Sequence, residues 1–441
     1  MLPRLEIVRR LRPVDLVAGT PALDVDADGQ SHPLPRPAPY AAAVLDVDSR
    51  RGSLAFRVPG WRLGGTWDGE RVSLQVTHGH RTQELRSRRH GRTQGRPTRL
   101  GLALTGTHLT ALVEEDGHWV ARARVDLRDR LDTRDPALLA ALQVEGEGGR
   151  LAAGGFGQLG LRDIRLVTTA GGEPLVEGSR VWLSATSAGP GFFDTGHTSI
   201  WRLDLEGLDP ARPTEALEHA ADLYFRRPDR PGVFGDHATH VVRDGDRWLV
   251  ATSTWGDFTR TRGVRATIAE TTADVLHGEH VLGTCELPLP TDGFTSVGVW
   301  DPHLVRRDDT WHVGYVSARK FFRFHPVVAS GRTLSDLRLR SAATERVATE
   351  GTTLLEVDGE LLVLASDGRD GRRGERERFP VFDLDLAPRG ALDAPYPTNL
   401  PWPTLLRHDG RWWLVAFNGR PVCGPLPGYG THGDVVVMRE A

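Results

Sequence analysis

A unit that recurs along the second part of this chain constrains its fold more than anything else in the sequence. Its clearest copy is Val299-Trp300-Asp301-Pro302-His303-Leu304-Val305, followed by the charged turn Arg306-Arg307-Asp308-Asp309-Thr310 and an apolar run from Trp311 to Ser317. The form is an acid beside a proline, a short strand, a turn, and a second strand led by a large apolar residue. Further copies begin at Ala238, Gly351 and Trp402. Each has an aspartate in its turn (Asp244, Asp358, Asp409) and a hydrophobic second strand (from Trp248, Leu361 and Trp412). With another second strand at Val181, these starts lie 50 to 67 residues apart. Repeats of this length built from strand–turn–strand units mark a β-propeller, because one small sheet cannot bury its own faces and neighbours must stack around an axis. Five units predict a five-bladed propeller over residues 173–441. The chain ends after the third strand of the fifth unit, so that blade's outermost strand is either missing or supplied from elsewhere in the chain.

Residues 1–168 also read as all-β. Ala43-Val44-Leu45-Asp46-Val47 and Arg71-Val72-Ser73-Leu74-Gln75-Val76 alternate in the manner of half-buried strands, with Gly, Asp and Pro at their ends. Leu109–Val113 turns at Asp116-Gly117 into Trp119–Arg122, and the segment closes on Gly155-Phe156-Gly157-Gln158-Leu159-Gly160-Leu161-Arg162-Asp163-Ile164-Arg165-Leu166. Such a set of hairpins predicts a two-sheet sandwich. The glycine-rich approach to a last apolar strand resembles the laminin-G or concanavalin-like sandwich. Pro136–Leu142 is a short helical candidate, and Thr168–Glu173 is a junction too short for free motion between the two parts.

The chain has 441 residues and a net charge of -3, which argues against a general binder of nucleic acid or of membrane surfaces. Its two cysteines, Cys285 and Cys423, lie too far apart in sequence to suggest a metal knuckle or a disulfide framework. The first residues lack the apolar core of a secretory leader, and no run reaches membrane-spanning length. A cytoplasmic protein is the expectation, or a secreted one if a leader has been removed. The oligomeric state is not legible.

In a propeller, the loops joining second and third strands return to the face where the first strands begin. Here those loops are Gly189–His197, Trp255–Phe258, Arg319–His325, Asp367–Phe379 and Asn418–Gly433. They hold much of the aromatic, His and Arg content outside the strands, whereas the opposite hairpins are short and merely charged. Function concentrates in such loops, so the site is expected on that face, at the axis.

Two first-strand starts carry acids in a recognisable form: Trp300-Asp301-Pro302 and Thr349-Glu350-Gly351-Thr352. They resemble the five-bladed propeller glycoside hydrolases, the arabinanase and xylosidase family 43 and its invertase and levanase relatives. The resemblance spans roughly residues 173–441. It implies that Glu350 is the proton-donating acid and that Asp301 tunes it. The family's remaining acid, a base or nucleophile, opens the first blade as Asp-Pro. That slot reads Glu173-Pro174 here, and Asp194 and Asp236 are rivals for the role. The resemblance also implies a carbohydrate substrate and no required cofactor. His432 matches a last-blade histidine that in some relatives faces a metal–water cluster, which would allow a structural calcium in the channel.

The chemistry explains the residue types. Cleaving a glycosidic bond needs one carboxyl still protonated to serve the leaving oxygen and another ionised to serve the anomeric centre, and a third carboxylate nearby raises the donor's pKa. Trp300 and Trp402, at first-strand starts, are placed to stack on a sugar ring. Asp194, Asp236, His237, Arg319 and His325 are further substrate-contact candidates, although buried histidines are more often structural. Two other readings stay open. Arg319, Lys320, Arg323 and His325 would suit the phosphate of a glycoside phosphorylase, and propeller and sandwich both serve as non-catalytic carbohydrate-binding scaffolds.

Overall fold

The computed structural model describes residues 2–47, 51–208, 216–259, 261–420, 422–428 and 432–441. Nearly every element is a strand. Among the described residues the only α-helix is Pro136–Ala140, where Asp135 caps the Ala137 N–H and a proline sits in the first turn.

Five antiparallel sheets follow one another around an axis. Blade one consists of Leu161–Leu166, Arg180–Ser187, His197–Asp204 and Leu217–Arg226. Blade two runs through His237–Asp244, Arg247–Ser253, Ala266–Thr271 and Cys285–Glu286. Blade three has Gly298–Arg307, Thr310–Lys320, Arg323–Gly331 and Arg338–Ala342. Blade four has Thr349–Val357, Glu360–Asp367, Pro380–Phe382 and Pro388–Ala391. Blade five is Thr404–His408, Arg411–Arg420 and His432–Glu440, and its fourth strand is Leu5–Leu11 from the other end of the chain. The question left by the short fifth unit is thus answered: the N-terminus covers that edge. Leu5 and Ile7 pack with Leu364, Phe379, Leu414 and Met438. Blade five meets blade one at the pair Leu161–Gly433, so the ring of sheets joins up.

The structure places one strand differently from the sequence reading. Leu161–Leu166 is not the last strand of the N-terminal region but the innermost strand of blade one. The expected division at residue 168 therefore falls inside that blade, and Thr168–Glu173 lies within its first connection. Thr168–Thr169 even pairs in parallel with the inner strand of blade two. The physical reason is the direction of a charged face. Arg162, Asp163 and Arg165 put three charges into a six-residue strand, as in a half-solvated edge strand, but the bulge at Asp163 turns them toward the axis.

The remaining N-terminal strands form one curled sheet rather than two separate ones. Its path runs His118–Asp126, His108–Glu115, Arg99–Thr105, Tyr40–Asp46, Gln143–Leu159, Gly52–Val58, Trp61–Trp67, Val72–His78, Arg81–Leu85. The 17-residue strand Gln143–Leu159 belongs to both halves, pairing with Gly52–Val58 at one end and Tyr40–Asp46 at the other. The bend between falls at Gly148 and Gly149. Gly148 has φ 117°, and a Cβ on Gly149 would stand 2.1 Å from the Asp46 carbonyl oxygen. The two halves face each other across one core, with Leu54, Phe56 and Leu74 against Leu102, Leu104 and Leu109. This sheet is fastened to the propeller through Tyr40, whose hydroxyl donates to the Gly196 carbonyl at 2.7 Å, and through Arg134, which donates to the Gly256 carbonyl at 2.7 Å.

Candidate active site

Four of the five inner strands carry the same irregularity. The pairing register slips between Arg162 and Arg165, His237 and His240, Trp300 and His303, and Glu350 and Thr353. At each slip one residue adopts a left-handed backbone: Asp163 (φ 53°), Ala238 (62°), Asp301 (59°) and Gly351 (72°). A bulge of this kind re-aims a side chain and costs strain where the residue is not glycine. Here it swings Asp163 and Asp301 into the axis, and the residue one place earlier in blade four is Glu350. Gly351 is obligatory at its bulge, because a Cβ there would lie 2.3 Å from the Trp402 ring. Three carboxylates from three inner strands thus meet at one level of the axis.

Each has a distinct environment. Asp301 is buried; its N–H donates to Ser253 Oγ at 2.9 Å and its carbonyl accepts from Arg165 at 2.9 Å. Burial, and then the neighbouring Glu350 and Asp163, hold its carboxyl well above the usual carboxylate range, against the pull of Arg165 and Arg162. Glu350 keeps part of its surface toward the cavity. Burial raises it to about 7, with Asp163 adding to the rise. Arg162 and the indole N–H groups of Trp402 and Trp300 act in the opposite direction. Asp163 is 1% exposed; its Oδ2 accepts from Arg162 Nε at 2.7 Å and Thr186 Oγ1 at 2.8 Å, while its Oδ1 has no hydrogen-bond partner. Three carboxylates and the guanidinium groups of Arg162 and Arg165 would sum to one negative charge if all were ionised. In a low-dielectric space that sum favours the retention of one proton.

Two residues further along the same strands lies a second buried layer. Arg165 donates to the carbonyls of Asp301 and Thr352 and to Thr353 Oγ1, and its guanidinium lies 4.6 Å from the Trp402 ring centre. His240 and His303 stack at 3.9 Å, and burial depresses both pKa values well below normal. His240 bonds Thr168 Oγ1 and accepts the Leu304 N–H, and His303 Nδ1 accepts the Leu354 N–H. A calcium ion needs several oxygen ligands. A guanidinium and two imidazoles at this level do not fit one. Among the described residues no three His, Cys, Asp or Glu side chains are placed to share one metal ion, Asp163, Asp301 and Glu350 included. The side chain of His432 lies outside the described residues.

Beside Asp301 and Glu350 opens a cleft of about 180 Å³. It lies on the face where the second-to-third strand loops gather. Glu350, Asp301 and Trp300 line it, as expected from sequence. Trp402 stands behind Gly351, its ring in contact with that backbone rather than with the cleft. The other candidates are elsewhere. Glu173 is exposed and hydrogen-bonded to Thr169. Asp194 is held by His108 at 3.0 Å and Arg128 at 3.2 Å, which ties blade one to the N-terminal sheet. Asp236 is fully buried against Arg227 and the Gly256 N–H. Arg319 spends its guanidinium on the carbonyls of Thr344 and Arg346. His325 is buried against Phe294, and burial takes its pKa down to about 4. His237 does sit next to the acids: its Nδ1 is 3.8 Å from Asp163 Oδ2, its Nε2 bonds the Phe193 carbonyl, and burial lowers it to about 4.

Sequence reasoning missed Asp163, Arg162 and Arg165. The acids of blades three and four precede their second strands by about ten residues, and the same count back from Val181 lands near Glu173. Blade one breaks the count because its first connection is long, with the inserted pairs Thr168–Thr169 and Val176–Glu177. The available signal was the run Arg162-Asp163-Ile164-Arg165, three charges in an otherwise apolar strand.

The fold and site define an all-β protein with a five-bladed propeller and a buried carboxylate cluster at its axis. No protein-family profile matches the chain, and no curated protein matches it in sequence. Solved structures with a similar course of chain include a thermostable family-43 glycoside hydrolase (15% identity, 63% of this chain and 88% of that one, TM-score 0.41). A family 117 glycoside hydrolase, Zg3597 from Zobellia galactanivorans, is also similar (12%, 63% and 84%, TM-score 0.43). The Bombyx mori GH32 beta-fructofuranosidase BmSUC1 is another (12%, 62% and 59%, TM-score 0.40).

Proposed function

We propose that this protein is a glycoside hydrolase whose reaction takes place at the axial carboxylates. The observation that carries the reading is the convergence of Asp163, Asp301 and Glu350, placed by the same bulge in three inner strands, with Asp301 and Glu350 lining a cleft and Asp163 buried behind Arg162. Glu350 faces the cleft and, with its pKa near 7, holds a proton at neutral pH. It donates that proton to the leaving oxygen as the glycosidic bond breaks. Asp163, with Oδ1 unpartnered, serves the anomeric carbon by taking a proton from the attacking water, so that sugar and free alcohol leave with Glu350 ionised and Asp163 protonated; the proton then returns from Asp163 to Glu350 through solvent before the next turnover. Asp301 stays beside Glu350, where its charge or shared proton keeps the donor's pKa high. No cofactor enters this reaction.

A phosphorylase reading finds no support, because Arg319 is committed to backbone carbonyls and His325 is buried away from the cleft. The test is Glu350→Gln assayed on glycosides with poor and good leaving groups. A loss of about 10²–10⁴-fold in kcat on a poor leaving group, shrinking on a nitrophenyl glycoside, is expected. An equal loss on both, in a folded variant, removes Glu350 from the donor role.

A further inference from the structure

The wall of the cleft is unusual for a site that meets only sugar. Phe192 and Phe193 come from blade one, Trp255 from blade two, and Phe321 and Phe322 from blade three, with Phe258 of blade two packed against Phe193, Trp255 and Phe321. They form one connected aromatic shelf: Phe192–Phe193 at 4.2 Å, Phe193–Trp255 at 4.5 Å, Phe193–Phe258 at 5.7 Å, Phe258–Phe321 at 4.7 Å and Phe321–Phe322 at 4.5 Å. Its outer members are far from buried, with Phe192 40% and Phe322 50% exposed. Large apolar side chains left open and contiguous at a cleft mouth call for a partner surface. Phe322 also has φ 65°, a conformation that a bulky residue rarely adopts and that is held at a cost.

The hydrogen-bonding equipment of the same cleft is sparse. Apart from Asp301 and Glu350, its side-chain donors and acceptors are Arg162, Asp370, Asn399 and the indole N–H groups of Trp255 and Trp300. Arg162 Nε is engaged with Asp163, and Asn399 Oδ1 accepts the Arg369 N–H at 2.8 Å. That set suits the hydroxyls of about one sugar ring. A second or third sugar lying on the shelf would set hydroxyls against phenylalanine rings, which offer no hydrogen bond, and would leave them desolvated and unpaired.

Resting on the glycosidase reading, the geometry points to a substrate made of one sugar unit joined to an apolar aglycone, aromatic or alicyclic, rather than an oligosaccharide. The aglycone lies on the aromatic shelf and the sugar on the carboxylate floor. Water cleaves the glycosidic C–O bond, with the donor's proton passing to the aglycone oxygen, so the products are the free sugar and the apolar alcohol.

Binding rather than rate is the first readout, because aromatic aglycones are also better leaving groups. Glu350→Gln protein is titrated by calorimetry with 2-naphthyl, cyclohexylmethyl and methyl glycosides of common pentoses and hexoses, and with disaccharides of the same sugars. For the sugar that binds, both apolar glycosides are expected to bind at least tenfold more tightly than the methyl glycoside and the disaccharide. Phe322→Ala and Phe192→Ala should each cut that advantage severalfold while leaving methyl glycoside binding unchanged. Equal affinity across the series, tighter binding of the disaccharide, or no binding of any of them overturns the inference. Wild-type protein is then tested for cleavage of the cyclohexylmethyl glycoside, whose leaving alcohol is as poor as methanol. Shelf-dependent binding without cleavage by wild type sinks the glycosidase reading and keeps the shelf as the apolar-group site. Cleavage with no preference for the apolar group does the reverse.

Discussion

Two layers of charged and polar side chains lie one above the other in the propeller axis, built from the same strands two residues apart. The upper layer holds Asp163 and Asp301, with Glu350 beside them. The lower holds Arg165, His303 and His240. The bulges aim Asp163 and Asp301 into the axis beside the layer that holds Arg165 and His303, and the two layers are in opposite states. In the lower layer most polar atoms find partners: Arg165 binds two carbonyls and a hydroxyl, with only its Nε left over, and both nitrogens of His240 are engaged. In the upper layer Asp163 Oδ1 is unpartnered, Asp301 is pushed up in pKa by burial and then by Glu350 and Asp163, and Glu350 by burial and then by Asp163. A satisfied buried network rigidifies a core, whereas a crowded and under-satisfied one is a cost that persists where it serves chemistry. On the proposed function, the lower layer fixes the axis and the upper one carries the chemistry.

If that division holds, substitutions in the two layers should fail differently. Asp163→Asn should abolish turnover by about 10²–10⁴-fold while the thermal unfolding midpoint stays near wild type. Unfolding in step with the loss of activity would make Asp163 a structural residue. Arg165→Met should do the converse. Removing a buried cation from beside three carboxylates leaves their charge uncompensated, and a loss of about 3–5 kcal/mol in unfolding free energy by denaturant titration is expected. A stable, merely inactive Arg165→Met protein would erase the distinction between the layers.

The pH dependence sharpens the same contrast. A carboxyl at about 7 in the folded state, against 4.5 in the unfolded one, contributes stability present in full below pH 4.5 and lost as the pH rises through 7. Glu350→Gln should therefore gain stability over wild type at pH 8, by up to about 3 kcal/mol, and flatten the decline between pH 5 and 8. Parallel pH–stability curves for the two proteins would show that Glu350 is not strained in this way. The opposite limb belongs to buried imidazoles. His237, lowered to about 4, contributes stability that is present above its ordinary 6.5 and lost as the pH falls through 4. The smallest effect is expected at the sequence's own first choice of base. Glu173→Gln touches an exposed residue bonded to Thr169 and should change stability by less than about 0.5 kcal/mol and activity not measurably. A large loss of turnover there would return Glu173 to the site.

Much of this was legible in the residue order. Alternation, turn residues and the blade-length repeat are local, and they marked the strands of blades two to five and the face that carries the loops. Asp301 and Glu350 were legible because each opens a blade of ordinary length. Asp163 was not, because the long first connection of blade one displaced the count and because a charged strand face reads as solvent-exposed when it is really turned to an axis. The rivals Asp194 and Asp236 failed for another reason: sequence gives an acid's position but not its partner, and His108, Arg128 and Arg227 lie on elements that only folding brings near.

By itself, then, the sequence determined the all-β class and the repeat, since both follow from periodicity over neighbouring residues, and it offered two of the three axial acids through short motifs that resemble those of a known family. Tertiary structure alone decided that Leu5–Leu11 completes the fifth blade, that Leu161–Leu166 begins the first, and that phenylalanines from three loops join into one shelf. Those outcomes depend on pairings across the ring and on the bulges that aim side chains inward, which no local pattern encodes.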